Sequence, residues 1–198
     1  MKNDLNQPTS IGRARRTDSI RNRQRVLNAA IALFNRKGIT VPLEEIASEA
    51  QVGIGTVYRN FPNKRALFEA VIQETMTELI RSAKTLAAQQ DPGTALLDFM
   101  LLMGRSAKLK HSLIQALSLT ENSASAALQQ TLQAFNMGFG QLVVNGQKAG
   151  TVRSDVTVAD IRALLAGCIL AEGNQHATTT TEKRIRIIYT GICVHRSN

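Results

Sequence analysis

The chain has 198 residues, 43% of them hydrophobic, and carries 24 Lys and Arg against 15 Asp and Glu, a formal net charge of +9. That apolar fraction supports a packed core at this length and excludes disordered and collagenous chains. No stretch approaches the roughly eighteen uninterrupted apolar residues of a membrane span, and the polar, basic start MKNDLNQPTSIGRARR has no apolar run behind it, so a soluble cytoplasmic protein without membrane contact is expected.

From about Thr17 the spacing turns helical: Val26, Leu27, Ala30, Leu33 and Phe34 recur at three and four residues, and Gly38 after Lys37 reads as a C-terminal stop. Pro42 can open a second, short helix at its first position, with Glu44 and Glu45 favoured near the positive end of its dipole. Leu43, Ile46, Ala47 and Ala50 give that helix an inner face. After Gln51 the chain restarts as GIGTVYRNF and is halted by Pro62, leaving room for two turns over residues 53–60. Asn63 then caps a long fourth helix, in which Leu67, Phe68, Val71, Ile72, Met76, Leu79 and Ile80 form one stripe towards Gln90.

Everything beyond Pro92 also reads as helix: about 92–108, with an apolar run at 99–103, then about 112–120 and about 123–148. Thr157 and Asp160 form a capping box ahead of Ile161, Leu164, Leu165, Cys168 and Ile169. A last helix follows residues 178–182 and aligns Ile185, Ile188 and Ile192. The fold class is therefore all-α. Cys168 and Cys193 lack CxxC spacing and sit among apolar residues, which fits reduced core thiols.

The charge is concentrated. Residues 1–65 hold 12 Lys and Arg against 5 acids, or +7, while residues 66–198 hold 12 against 10, or +2. Arg13, Arg15, Arg16, Arg21, Arg23 and Arg25 crowd the lead-in, and guanidinium matches the fork of phosphate oxygens. Two short helices across a tight turn, followed by a longer one, make a helix-turn-helix, whose second member enters a DNA major groove. Gly53 and Gly55 would let the start of that helix approach phosphates. Thr56 and Tyr58 suit backbone contacts, Arg59 can read guanine, Asn60 can pair with adenine, and Lys64 can take a phosphate. Val52, Val57 and Phe61 would face inward. A plain structural subdomain with a solvated basic face is the bland alternative.

RVLNAAIALFNRKG followed by PLEEIASEAQVGIGTVYRNFPNKRALFEAVI resembles the DNA-binding region of TetR/AcrR-type bacterial transcriptional regulators over about residues 20–75. The resemblance implies backbone contacts by Thr56, Tyr58 and Lys64, with Ile54, Gly55, Arg59 and Asn60 at or near the groove. Arg25 and Gly53 join this candidate interface. Two departures stand out: Gln51 replaces the usual turn glycine, which would strain the turn if φ is positive there, and Gly53 replaces the usual Ser or Thr at the helix start.

The resemblance divides the chain into a basic flexible arm over 1–18, the helix-turn-helix domain over 19–65 and a helical effector-binding and dimerisation domain over 66–198. It implies a homodimer on a palindromic double-stranded DNA operator, built by the last two helices; Ile161, Leu165 and Ile169 with Ile185, Ile188 and Ile192 are the expected interface, as stripes that one subunit leaves uncovered. For a partly apolar small-molecule effector the candidate contacts are Phe99, Met103, His111, Gln115, Phe135 and Phe139, beside Met100, although residues of these types at helical spacing more often simply fill a core. His176 and His195 carry no signal. No GxSxG, HExxH or CxxC organises a catalytic, metal or cofactor site, and the two GxG pairs lack both a preceding strand and the third glycine of a dinucleotide fingerprint. The expected protein is a transcriptional regulator, a repressor released by its effector; the rival is a helical small-molecule-binding protein or enzyme with a vestigial helix-turn-helix.

Overall fold

A computed structural model describes residues 10–105, 107–118, 125–170 and 180–194. They form α1 (Ser10–Lys37), α2 (Leu43–Glu49), α3 (Ile54–Asn60), α4 (Lys64–Gln89), α5 (Pro92–Arg105), α6 (Ala107–Ser118), α7 (Ala126–Lys148), α8 (Val158–Leu170) and α9 (Thr181–Ile192). Contacts divide the chain into two compact units, residues 1–71 and 72–198, and the continuous helix α4 contributes to both.

In the first unit, Val26, Leu27, Ala30, Leu33 and Phe34 of α1 pack with Ile46, Val57, Phe61, Leu67 and Phe68, all buried, and Phe34 meets Phe68 edge to face with centroids 5.5 Å apart. Arg36 to Glu49 at 2.9 Å and Lys37 to Glu45 tie the end of α1 to α2. Two boundaries differ from expectation. The helix α1 begins at Ser10 rather than near Thr17, because Arg and Ala over 13–16 are good helix formers and only Gly12 opposes them; residues 10–18 of the expected arm thus continue α1. Pro42 caps α2 from outside with extended backbone, and Leu43 is the first helical residue. Asn63 Oδ1 accepts from the Ala66 N–H at 2.8 Å, so the expected cap of α4 is present.

In the second unit α5 is central, packed against both α7 and α9, and Phe99 touches the rings of Phe135 and Phe139 at centroid distances of 6.0 and 5.4 Å. Gly104 sits inside α5 because Ile185 Cδ1 occupies the space its Cβ would take, and this packing glycine is no helix stop. The described helices α5 and α6 end at Arg105 and begin at Ala107, where 108 and 112 were expected. Thr157 and Asp160 close their capping box: Asp160 Oδ2 accepts from the Thr157 N–H at 2.8 Å, and Thr157 Oγ1 accepts from the Asp160 N–H at 3.2 Å. A short antiparallel bridge joins Val152 to Cys193, with Arg153 N donating to Ile192 O at 2.9 Å, so the end of α9 is laced to the turn after α7. Neither cysteine is in a disulfide; Cys168 is buried and Cys193 half-buried.

The expected uncovered stripes need correction. Ile161, Leu165, Ile185 and Ile192 are buried within the subunit, and Ile188 is half-buried, because α8 and α9 pack on each other and α9 packs on α5. The side chain of Ile169 lies outside the described residues, as do His176 and His195. The opposite faces carry the uncovered apolar groups: Leu164 is 48% exposed between Ala163, Ala166 and Gly167, and Ile187 is 61% exposed.

Candidate functional site

The helix α2 ends in a Schellman turn. Gln51 N donates to Ser48 O at 2.9 Å and Val52 N to Ala47 O at 3.0 Å, which places Gln51 at φ +53°. The helix α7 ends with the same pair of bonds, from Gly150 to Gln147 O and Thr151 to Gly146 O, but there the left-handed residue is Gly150. Gln51 is the one described non-glycine residue with positive φ. Arg25 Nη2 reaches across from α1 and donates to Gln51 O at 3.1 Å and to Gln51 Oε1 at 3.2 Å. The turn that aims α3 is thus held by an arginine where the strain falls.

The helix α3 starts from Gly53, extended at φ −67°, and buries Val57 while Phe61 is buried just beyond its end; Val52 is half-buried. Arg23 stands 4.8 Å from the centroid of the Phe61 ring, so a second α1 arginine braces the helix. The outer surface presents Gly53, Ile54, Gly55, Tyr58 and Arg59, exposed, with Thr56 and Asn60 half-buried at its edges. A Cβ built on Gly53 or Gly55 meets nothing within 4 Å, and neither residue has positive φ. Among the described residues neither packing nor backbone conformation calls for glycine there, and the start of α3 is open to close approach.

Arg59 Nη2 donates to Thr56 Oγ1 at 2.9 Å, which orients the guanidinium along the exposed face. Asn60 Nδ2 donates to Thr56 O at 2.8 Å, so its amide secures the last turn of α3, a use that the spacing did not reveal. Lys64 is half-buried at the start of α4 with Nζ 5.7 Å from the centroid of Phe68, and this burial lowers its pKa from the ordinary 10.5. Gly53, Ile54, Gly55, Thr56, Tyr58, Arg59, Asn60 and Lys64 therefore lie on α3 and its flanks, whereas Arg25 is engaged with the turn behind them. The clamp and the Arg23 brace escaped the sequence because each contact joins residues more than twenty positions apart; the replacement of glycine by Gln51 was the available hint.

In the second unit a cleft of about 200 Å³ lies among α4 to α9. Of the candidate effector contacts, Met103, His111 and Phe135 line it; Phe99 and Phe139 are fully buried core, and Gln115 is exposed away from it. Met76, Ile114, Leu165 and Ile185 add apolar wall, and Arg162, unanticipated from the sequence, adds a guanidinium. Leu165 and Ile185, expected at a subunit interface, are thus cleft wall. Among the described residues no group of His, Cys, Asp and Glu can hold a metal ion, and no helix is long and apolar enough to cross a membrane.

A two-turn helix with an exposed basic and glycine-bearing face, positioned by a tight turn ahead of a long helix, defines a helix-turn-helix DNA-binding regulator. Residues 26–71 match the family described as bacterial regulatory proteins, tetR family, and residues 91–194 match the C-terminal domain of SbtR-like transcriptional regulators. The chain belongs to the TetR family of bacterial transcriptional regulators. The crystal structure of a TetR transcription regulatory protein from Mycobacterium vanbaalenii is 40% identical, covering 90% of this chain and 99% of that one with a TM-score of 0.70. SCO0520 from Streptomyces coelicolor is 29% identical over 86% of this chain and 98% of its own, also with a TM-score of 0.70. Among curated relatives, the transcriptional repressor KstR of Mycobacterium tuberculosis is 24% identical over 72% of this chain and 70% of its own length. The Staphylococcus aureus regulator SAB2452 is 38% identical, but the match spans 36% of this chain and 39% of that regulator.

Proposed function

We propose that the protein is a homodimeric repressor that binds a palindromic double-stranded operator and leaves it when a small, partly apolar molecule fills the cleft of the second unit. The exposed face of α3, with open space over Gly53 and Gly55 beside Tyr58 and Arg59, is the observation that carries DNA binding. Arg59 reads a base edge; Tyr58, Thr56 and Lys64 hold the phosphate backbone, Ile54, Gly55 and Asn60 lie at the groove, and Arg25 acts through the turn. Charge supports the assignment, since +7 of the +9 belongs to residues 1–65.

Two-fold symmetry would come from the outer faces of α8 and α9, where Leu164 stands exposed among Ala163, Ala166 and Gly167 and Ile187 is exposed on α9. Release would be a population shift. The helix α4 carries Lys64 at its start and Met76 in the cleft wall, so an effector that displaces Met76 can move the helix that supports α3. Recognition helices would then no longer match successive major grooves about 34 Å apart. Moving operator occupancy from 99% to 1% needs a differential affinity of roughly 5.5 kcal/mol, which two cleft sites can share. Selection of bound fragments from random DNA tests the reading: an enriched palindrome supports it, and none at low salt overturns it.

A further inference from the structure

The cleft of the second unit has a chemical polarity. Its described wall is apolar, from Met76, Met103, Ile114, Phe135, Leu165 and Ile185, the charged group in it is the guanidinium of Arg162, and His111 also lines it. No Asp or Glu is among the described lining residues. Arg162 Nη1 donates to Asn136 Oδ1 at 2.9 Å, which pins the guanidinium next to Phe135 on α7. Three other arginines of this unit, Arg81, Arg153 and Arg186, each hold a carboxylate. Arg162, exposed at the cleft rim, has no carboxylate within ion-pair distance among the described residues, and its hydrogen bond to Asn136 orients its remaining N–H donors.

A fixed guanidinium fork at one side of an apolar cleft matches a carboxylate on an apolar body. At about 200 Å³ the space is smaller than the roughly 300–1,000 Å³ of drug-sized sites, so the body is short. We infer that the ligand of this cleft is a small amphipathic carboxylate, its oxygens on Arg162 and its hydrocarbon against Phe135, Met103 and Leu165. This builds on the effector reading and specifies its chemical class.

The probes are hexanoate, 1-hexanol and hexylammonium, which share a chain and differ in head group, titrated calorimetrically into the full-length protein. Hexanoate should bind about tenfold tighter than hexanol, because a charge-assisted hydrogen bond is worth about that factor at a partly solvated site. In Arg162→Gln this preference should vanish while hexanol binding persists, and Arg162→Lys should restore part of it. Equal or weaker binding of hexanoate than of hexanol, or an undiminished preference in Arg162→Gln with its helical content intact, would overturn the inference. Operator binding is followed in the same solutions. If hexanoate binds through Arg162 yet leaves DNA affinity unchanged, the ligand class stands and the effector reading fails.

Discussion

Arg25 offers a way to separate a residue that touches DNA from one that aims the helix that does. Its Nη2 holds both the carbonyl and the side-chain oxygen of Gln51, which sits at φ +53°. A non-glycine residue in that region costs roughly 1–2 kcal/mol. Gln51→Gly removes that cost but also the Oε1 acceptor, whose hydrogen bond contributes roughly 0.5 kcal/mol at an exposed site, so the net is a gain of about 0.5–1.5 kcal/mol. Arg25→Ala removes both bonds and should cost about 1 kcal/mol with Gln51 present, and about half that or less with glycine there. The coupling, about 0.5 kcal/mol or more, lies at or above the usual additivity error. Native-state amide exchange at Gln51 and Val52, whose N–H groups close the Schellman turn, reads the local opening directly. DNA affinity supplies the second reading: Arg25→Ala should weaken binding, and Gln51→Gly should restore most of the loss. If Gln51→Gly lowers protection, or the two changes are additive in both measurements, the clamp is incidental and Arg25 is simply a phosphate contact.

Several other outcomes are expected. Tyr58→Ala and Lys64→Ala should weaken specific and scrambled DNA alike, whereas Arg59→Ala should cost roughly 1–3 kcal/mol on the operator and blur one base position in a mobility-shift series. Leu164→Glu combined with Ile187→Glu should yield a folded monomer by light scattering; Ile161→Glu, which buries a charge, should instead abolish folding of the second unit. Side-chain hydrogen bonding to Thr94 and Thr157 holds the Asp91 and Asp160 carboxyls below the ordinary 3.8. Their caps therefore stabilise α5 and α8 while ionised, fully above about pH 5, and are lost as pH falls through 3.8 and below. Asp160→Asn should lower stability at neutral pH and flatten the acid loss in thermal melts.

What could be read from the sequence was local. Helical periodicity and caps such as Asn63 and the Thr157–Asp160 box lie within a few residues of the elements they control, so they were legible, and so was the unusual Gln51. Boundaries drifted where no proline or glycine marks them: Ser10 starts a helix on propensity alone. Which side of an apolar helix faces inward was not legible for α8, because its residues are apolar on nearly every face. Ile161 and Leu165 therefore read as a partner surface, although Leu164 and Ala163 are the exposed ones. Long-range polar pairs, such as Arg25 with Gln51 and Arg162 with Asn136, have no sequence periodicity to reveal them.

The central claim is that α3 reads a specific DNA sequence as part of a two-fold assembly. Fragment selection followed by affinity measurement between 50 and 200 mM salt tests it most directly. The account predicts a palindromic consensus and, for roughly 6–10 phosphate contacts, a fall in affinity of about 10³ to 10⁵ over that range with the sequence preference retained. Recovery of DNA without a consensus, with the same salt dependence for every fragment, would contradict it.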